Sequence, residues 1–269
     1  MPDEMDLSFL DRPEILQVLF PIVYSPFQIP DFLRSRSAAL PVHPVEVGDG
    51  VTINCGFWVC GKEKPSVLYF HGNGETVYTH EWVAPYYNWR GINLFVADYR
   101  GYGSSGGKPT VSNMVSDAHI IFRSFKEKLA GEGYKNSLFV MGRSLGSVPA
   151  IEVALHFQDE LRGLIVESGT ASNFRRLSDS LEGMAEPGII DDESPLLNGV
   201  KVRKINRPTL VMHGEYDDII PVEEGRELYR NSGSGDKKIV IIPGAGHNDI
   251  MMNQDLYFGT LEEFIRTHE

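Results

Sequence analysis

Cysteine is scarce in this sequence, and its thiols do not indicate a cross-linked or metal-bound protein. The chain has two cysteines among 269 residues. Cys55 and Cys60 flank a short apolar run, and if that run is one strand they lie on opposite faces, which disfavours a disulfide between them. Because no histidine accompanies them at metal-ligand spacing, we expect both to be buried core residues in a reducing compartment, and no metal site.

Positive charge is also in deficit. Lysine and arginine total 25 against 37 aspartates and glutamates, which gives a formal net charge of −12. An acidic surface repels nucleic-acid phosphates and anionic lipid, and basic stretches rich in aromatic residues are absent, so we expect no nucleic-acid partner. A hydrophobic fraction of 42% and a charged fraction of 23% are typical of a soluble globular protein.

A hydrophobic run long enough to span a bilayer is missing as well. The apolar segment 15–24 is interrupted by Gln17 and Pro21 and is too short for a membrane span. It carries no lysine or arginine on a polar face, so we expect it to pack on the protein body rather than on a membrane surface. The first residues lack the basic region of a signal peptide, and the expected location is the cytoplasm.

From residue 45 onward the sequence alternates between strand and helix patterns. A hairpin is predicted over residues 45–59, with its turn at Gly48-Asp49-Gly50. Further strands are predicted at residues 66–70, 92–97, 137–141, 164–166, 208–212 and 238–242, and helices at about 76–89, 110–128, 147–157, 223–230 and 256–267. Continuous apolar strands between helices indicate an α/β domain with a mostly parallel sheet of about eight strands, covered on both faces.

Two segments depart from this alternation. Residues 1–44 are rich in proline, with a short helix pattern at 13–20, and are interpreted as an extension packed on a domain of residues 45–269. The segment 171–207 is longer than one crossover helix requires. We expect a small cap over the candidate site, with a crossover and a long surface loop as the alternative.

The cap has two predicted helix signals. The apolar residues on one face of its first helical pattern are Phe174, Leu177, Leu181 and Met184. A second helix start is predicted at Ser194-Pro195, where serine could cap a helix whose first residue is proline.

A G-x-S-x-G motif spans residues 142–146, between the predicted strand 137–141 and the predicted helix 147–157. In that context the motif indicates a nucleophile elbow, in which Ser144 occupies a tight and strained turn. Gly142 and Gly146 let the strand and helix approach each other closely. Chance occurrence of so short a motif is the alternative.

A serine hydroxyl needs a base to accept its proton, and His247 is the candidate. It lies on the glycine-rich loop 243–249 after the last predicted strand, which is the position expected when the chain order is serine, acid, histidine. The glycines allow the loop to fold back so that the imidazole reaches Ser144. His213 follows a strand as well, but we interpret it as shaping the turn with Gly214.

The candidate acid is Asp217, on the loop after the strand 208–212. An acid is needed to orient the imidazole and to stabilise its protonated form. Three rivals are Asp218, Glu215 and Glu167, of which Glu167 follows the strand 164–166 at an alternative acid position. Asp217 is preferred because strand order and loop length place it beside the histidine.

An oxyanion hole requires two N–H donors, and the sequence offers two loops for them. One candidate is the backbone amide of Leu145, and the other is that of Asn73 in the glycine-containing loop after the strand 66–70. Asp98 is expected to have a structural role, bonded to backbone or to a nearby arginine. Residues suggested for an acyl pocket, with plain core packing as the alternative, are Tyr102, Phe174, Leu181 and Met184.

Taken in order along the chain, these motifs resemble the α/β-hydrolase superfamily. They comprise His71-Gly72-Asn73-Gly74, the Asp98–Gly103 loop, the Ser144 motif, the His213–Pro221 loop and Gly246-His247-Asn248-Asp249. The sequence is most similar to the branch that contains Bem46-like proteins and acyl-protein depalmitoylases.

The resemblance implies an α/β-hydrolase fold and a serine hydrolase with Ser144, Asp217 and His247 as catalytic triad. It implies esterase or thioesterase activity on a small-molecule ester or acyl substrate, without a cofactor. A hydrolase of small peptides or amides, and a member of the fold that binds a ligand without turnover, are the alternatives.

Overall fold

The computed structural model describes residues 7–24, 41–135, 137–173 and 190–269. Three residues suggested for the acyl pocket, Phe174, Leu181 and Met184, lie outside the described residues, as does much of the predicted cap. In the described ranges, no helix is long and apolar enough to cross a lipid bilayer.

Eight strands form a single sheet. They are β1 (Val42–Gly48), β2 (Val51–Trp58), β3 (Ser66–Phe70), β4 (Asn93–Ala97), β5 (Leu138–Arg143), β6 (Gly163–Glu167), β7 (Thr209–Gly214) and β8 (Lys237–Ile242). Their spatial order is β1-β2-β4-β3-β5-β6-β7-β8. Strand β2 pairs antiparallel with β1 and with β4, whereas the pairs from β4 through β8 are parallel. The predicted α/β fold is confirmed.

Helices lie between the strands and at both ends of the described chain. They are α1 (Pro13–Leu19), α2 (Pro21–Tyr24), α3 (Ala84–Trp89), α4 (Val111–Gly131), α5 (Ser147–Phe157), α6 (Asn198–Lys201), α7 (Val222–Asn231) and α8 (Gln254–His268). Helix α4 begins with a capping box, because the Thr110 side chain accepts from the Asn113 amide and the Asn113 side chain accepts from the Thr110 amide.

Helices cover both faces of the sheet. Because successive side chains of a strand point to opposite faces, each strand contributes to two cores. In β3, Leu68 and Phe70 belong to a core shared with α1, α4, α5 and α7, whereas Val67 and Tyr69 belong to a second core with α3 and α8. Phe20, just after α1, is fully buried in the first core. Ile15 and Leu16 of α1 pack in the same core.

The structure corrects two helix predictions. Residues 76–89 were expected to form one helix, but a 3₁₀ turn, Val77–His80, precedes the separate helix α3. The amide of Thr76 donates to the Thr79 hydroxyl at 3.0 Å, which closes a tight first turn. Helix α6 begins at Asn198 rather than at Ser194-Pro195: the Leu197 amide donates to the Ser194 carbonyl oxygen at 3.0 Å, which forms a single turn ahead of the helix.

The expectation of two buried cysteines is half wrong. Cys55 lies in β2 and is buried, but Cys60 lies beyond the end of the strand and is exposed. The Cys60 amide donates to the Asn93 side chain at 2.8 Å, which holds this segment beside the first residue of β4. Both thiols are free, but the argument from opposite faces of one strand does not apply, because β2 ends before Cys60.

Candidate active site

The turn between β5 and α5 is a strained elbow. Ser144 has φ 53°, a left-handed conformation that is uncommon for residues other than glycine. A Cβ atom on Gly142 would lie 2.2 Å from the Gly146 carbonyl oxygen, and one on Gly146 would lie 2.0 Å from the Phe70 carbonyl oxygen. Only glycine permits this close approach of strand, turn and helix, which presents Ser144 at the carboxyl edge of the sheet.

Two hydrogen bonds connect the three predicted site residues. His247 Nε2 lies 3.0 Å from Ser144 Oγ, and His247 Nδ1 lies 2.8 Å from Asp217 Oδ2. These distances fit one tautomer, in which Nδ1–H donates to the carboxylate and Nε2 accepts the serine hydroxyl. All three residues are less than 8% exposed. The structure therefore brings the hydroxyl, imidazole and carboxylate into a continuous chain at the ends of β5, β7 and β8.

Backbone contacts between two loops place Asp217 beside His247. The Tyr216 amide, on the loop after β7, donates to the Ala245 carbonyl oxygen on the loop after β8 at 2.8 Å. A Cβ atom on Gly214 would lie 2.5 Å from the Gly246 carbonyl oxygen. The glycines after both strands thus permit the close loop packing that aligns the acid with the base.

Asp217 is held as a carboxylate by several donors. Its Oδ1 accepts from the backbone amides of Ile219 and Ile220 at 3.0 and 2.8 Å. Burial alone would raise the Asp217 pKa, but hydrogen bonds from His213, His247 and the Ile220 amide outweigh it and lower the pKa below its usual value. A charged carboxylate at this position can stabilise an imidazolium.

The three rival acids have other positions. Glu167 accepts from Arg143 at 3.1 Å and from the Tyr257 hydroxyl at 2.6 Å, Glu215 accepts from a backbone amide at 2.9 Å, and Asp218 is exposed. Burial raises the pKa of Glu167, although Arg143 and Tyr257 partly oppose that shift. Asp217 is the carboxylate that the structure places at His247.

His213 contacts the site, which the sequence interpretation of a turn residue missed. It is fully buried, and its Nε2 lies 2.8 Å from the Ile220 carbonyl oxygen and 3.3 Å from Asp217 Oδ2. An N–H group at His213 Nε2 would therefore face both the Ile220 carbonyl oxygen and Asp217 Oδ2. The spacing of four residues before Asp217 was visible in the sequence, but the contact depends on how the loop turns back.

The predicted oxyanion donors lie on the two expected loops. Leu145 follows the nucleophile candidate in the 3₁₀ turn Ser144–Gly146, and Asn73 follows β3. The Gly72 amide already donates to Glu75 at 3.1 Å, and the Asn73 amide stays the predicted donor in its loop.

Tyr102 contacts this loop rather than an open pocket. Its hydroxyl donates to the Asn73 side-chain oxygen at 2.9 Å, and the residue is fully buried, with its ring 5.7 Å from that of His71. A role of Tyr102 in an acyl pocket stays a prediction.

Asp98 makes the first of the two contacts expected of it, a bond from backbone rather than from an arginine. It accepts from the Val77 amide at 2.7 Å and lies 3.1 Å from His71 Nε2. Arg100 pairs with Asp117 instead, Nε to Oδ2, at 2.7 Å.

One cluster on α4 and α5 has the residue types of a metal site. Ligand atoms of His119, Glu152 and His156 all lie within 4.8 Å of one another. Glu152 is already paired with the Lys201 ammonium, however, and His156 Nδ1 lies 3.0 Å from the Glu152 carbonyl oxygen. These partners account for the arrangement as an ion-pair cluster, and we assign no metal to it.

Comparison with known proteins gives a family match over about two thirds of the chain. Residues 61–182 and 200–255 match the family described as serine aminopeptidase, S33. An alpha/beta hydrolase domain-containing protein of Caenorhabditis elegans, aho-3, is 31% identical over 64% of this chain and 48% of its own length. The chain thus spans about half of that relative. Protein bem46 of Schizosaccharomyces pombe is 28% identical over 77% of this chain and 69% of its own length.

Solved structures share the fold at low sequence identity. An esterase of Pyrococcus furiosus, Pf2001, superposes with a TM-score of 0.68 at 17% identity, over 90% of this chain and 96% of the esterase. A monoacylglycerol lipase of Paleococcus ferrophilus gives 0.62 at 20% identity, over 81% and 99%. The family match places the chain in the family described as serine aminopeptidase, S33, and the curated relatives place it in the Bem46-like branch of the α/β-hydrolase superfamily.

Proposed function

We propose that this protein is a serine hydrolase that cleaves a carboxylic ester or thioester through an acyl-enzyme intermediate. The observation that carries the proposal is the hydrogen-bonded series from Ser144 through His247 to Asp217, with links of 3.0 and 2.8 Å. A weak hydroxyl nucleophile becomes reactive when a base is within hydrogen-bond reach and an acid orients that base.

In the acylation step, His247 Nε2 accepts the Ser144 proton while Oγ attacks the substrate carbonyl carbon. The charged carboxylate of Asp217 stabilises the imidazolium. The amides of Leu145 and Asn73 donate to the oxyanion of the tetrahedral intermediate. The intermediate collapses as the imidazolium gives its proton to the departing alcohol or thiol, and the acyl group remains on Ser144.

Deacylation repeats the same proton transfers with water. His247 accepts a proton from water as the water oxygen attacks the acyl carbonyl carbon, and the new intermediate then expels Ser144 Oγ. The imidazolium returns the proton to the serine, and the carboxylic acid leaves. No step draws on a cofactor.

The relatives favour esters without naming a substrate for this chain. The structural neighbours include proteins named as an esterase and a monoacylglycerol lipase, whose carbonyl substrates have oxygen leaving groups. The matching family is described as serine aminopeptidase, which supports peptide hydrolysis as the second candidate. A cytoplasmic location and a small-molecule substrate complete the proposal.

Steady-state kinetics of wild type and Ser144→Ala on three substrate classes test the proposal. A chain-length series of p-nitrophenyl esters, acyl thioesters and aminoacyl p-nitroanilides should separate ester, thioester and peptide preference. Ser144→Ala should lower kcat on the preferred class by on the order of a thousandfold or more. Turnover of the variant within tenfold of wild type, with circular dichroism showing both proteins folded, would contradict the proposed nucleophile.

A further inference from the structure

Arg143, immediately before the candidate nucleophile, occupies a central position that the proposed chemistry does not use. It is the last residue of β5, and its side chain is 8% exposed. A guanidinium offers five N–H donors in a rigid plane, so it can bind several acceptors at fixed angles. Four acceptors surround this one, and they belong to three separate segments.

The first contacts join Arg143 to the loop that carries His247. Nη2 donates to the backbone carbonyl oxygen of His247 at 2.8 Å and to the side-chain oxygen of Asn248 at 3.0 Å. The carbonyl belongs to the same residue whose ring bonds Ser144. Displacement of the guanidinium would therefore free the backbone from which the imidazole projects.

The second contact reaches the loop of the oxyanion candidate. Nη1 of Arg143 pairs with Glu75 Oε1, and Glu75 Oε2 accepts from the Gly72 amide at 3.1 Å. Gly72 directly precedes Asn73. Glu75 thus connects the guanidinium to the backbone beside the Asn73 amide.

The third contact anchors Arg143 in the core. Nε donates to Glu167 Oε1 at 3.1 Å, and Glu167 is fully buried. Burial raises the pKa of Glu167. Burial would also raise the pKa of Glu75, but Arg143, two nearby histidines and the Gly72 amide together outweigh it and lower that pKa. The one guanidinium thus offsets part of the negative charge of two buried or partly buried carboxylates.

We propose that Arg143 is a positioning residue that fixes the His247 loop and the Asn73 loop relative to Ser144. The inference builds on the proposed serine hydrolase chemistry. Arg143 acts through the two loops and touches no substrate atom. The alternative is that Arg143 forms a buried ion pair that contributes to folding alone. Substitution by lysine separates the two roles, because it keeps the positive charge but not the planar arrangement of N–H donors.

Arg143→Lys is the discriminating variant. Lysine keeps the positive charge that compensates Glu75 and Glu167, but its single ammonium cannot reproduce the planar fork onto the His247 carbonyl and Asn248. A positioning role predicts a Tm within about 3 °C of wild type and a kcat lowered about tenfold or more, with KM changed less than threefold. A role in folding alone predicts a lowered Tm for Arg143→Lys, with wild-type kcat at temperatures where the variant is fully folded.

Two further variants keep the test independent of folding. Asn248→Ala removes one contact to the guanidinium without leaving a buried charge, and it should lower kcat about threefold to tenfold with little change in Tm. Arg100→Gln is the matched control, since Arg100 is largely buried and pairs with Asp117 and Asp49, away from the triad. It should lower Tm while kcat stays within twofold of wild type.

The assay measures kcat and KM on the preferred ester and Tm by differential scanning calorimetry, with Ser144→Ala alongside. Wild-type kcat in both Arg143→Lys and Asn248→Ala would overturn the positioning role. Full turnover by Ser144→Ala would instead overturn the proposed nucleophile, so the two failures are distinguishable.

Discussion

At the scale of single residues, the site depends on the backbone angle of Ser144 as well as on its hydroxyl group. Ser144 adopts φ 53°, a conformation that costs a non-glycine residue about 1–2 kcal/mol. The packing of Gly142 and Gly146 against neighbouring carbonyl groups leaves no room for a relaxed turn. In this conformation Ser144 Oγ lies 3.0 Å from His247 Nε2, a distance at which a proton can be transferred.

Replacement of the acid gives the first residue-scale prediction. Asp217→Asn should lower kcat by about 10⁴-fold, because an amide NH₂ facing Nδ1 favours the tautomer whose Nε2 carries a proton and cannot accept one from Ser144. Steady-state ester hydrolysis measures the loss. Asp218→Asn is the control, because Asp218 is the exposed neighbour and its variant should keep kcat within twofold. Equal losses in both variants would remove Asp217 from the mechanism.

The residue types of the site were predictable from sequence, but some contacts were not. Ser144, Asp217 and His247 follow from motif, chain order and strand ends. The approach of His213 to Asp217, at 3.3 Å, depends on the backbone path of residues 214–217, which no local pattern specifies. The burial of Cys60 was mispredicted because a strand pattern does not show which residue is the last of the strand. Strand β2 ends at Trp58, two residues before Cys60.

At the scale of elements, the predicted strands and most helices agree with the structure to within a few residues. Strong hydrophobic periodicity explains this agreement, since buried strands and amphipathic helices need it to bury their apolar faces. The failures, at residues 76–89 and 194–198, occur at short turns closed by backbone bonds between residues three apart, Thr79 N–H to Thr76 O and Leu197 N–H to Ser194 O, both 3.0 Å long. Such turns end after a few residues, and periodicity does not report where they stop.

Two glycines in different elements should respond oppositely to alanine. Gly146→Ala places a Cβ atom 2.0 Å from the Phe70 carbonyl oxygen and should lower the free energy of unfolding by at least about 2 kcal/mol. Gly259 lies within helix α8, where an added Cβ has no atom within 4 Å. Gly259→Ala should therefore raise the free energy of unfolding by about 0.5–1 kcal/mol. Urea denaturation measures both changes, and a stable Gly146→Ala would contradict the elbow packing.

The ion pair between Glu152 on α5 and Lys201 on α6 gives a pH-dependent prediction. Burial would raise the pKa of Glu152, but His119 and Lys201 outweigh it and lower the pKa to about 2. A carboxyl whose folded pKa is depressed stabilises the protein fully above its unfolded pKa of about 4.3, and that stability is lost as the pH falls through the folded pKa of about 2.

Glu152→Gln should lower the free energy of unfolding at pH 7 by about 3 kcal/mol, because it leaves the buried Lys201 ammonium without its counter-charge. The difference from wild type should shrink as the pH is lowered from about 5 towards 2. Urea titrations across this range measure it. Glu160→Gln, at a partly exposed pair with Lys126, is the control and should cost less than about 1 kcal/mol. A difference independent of pH would contradict the assignment.

At the scale of the whole molecule, sheet topology brings distant sequence segments together. Strands β5, β6, β7 and β8 are adjacent and parallel, so the elbow after β5 and the loops after β7 and β8 meet along one edge. Alternating strand and helix patterns predict a parallel sheet, and a parallel sheet predicts this meeting. The shape of the substrate pocket does not follow in the same way, because it depends on how residues 171–207 fold, which the helix patterns of that segment do not specify.

The central claim is that Ser144 is a nucleophile activated by its two buried partners. Intact-protein mass spectrometry after treatment with a fluorophosphonate, followed by peptide mapping, tests this most directly. We predict one covalent adduct, on Ser144, formed at least a hundredfold more slowly in His247→Ala and absent in Ser144→Ala. An unmodified Ser144 in folded wild-type protein, or equal labelling rates in wild type and His247→Ala, would contradict the account.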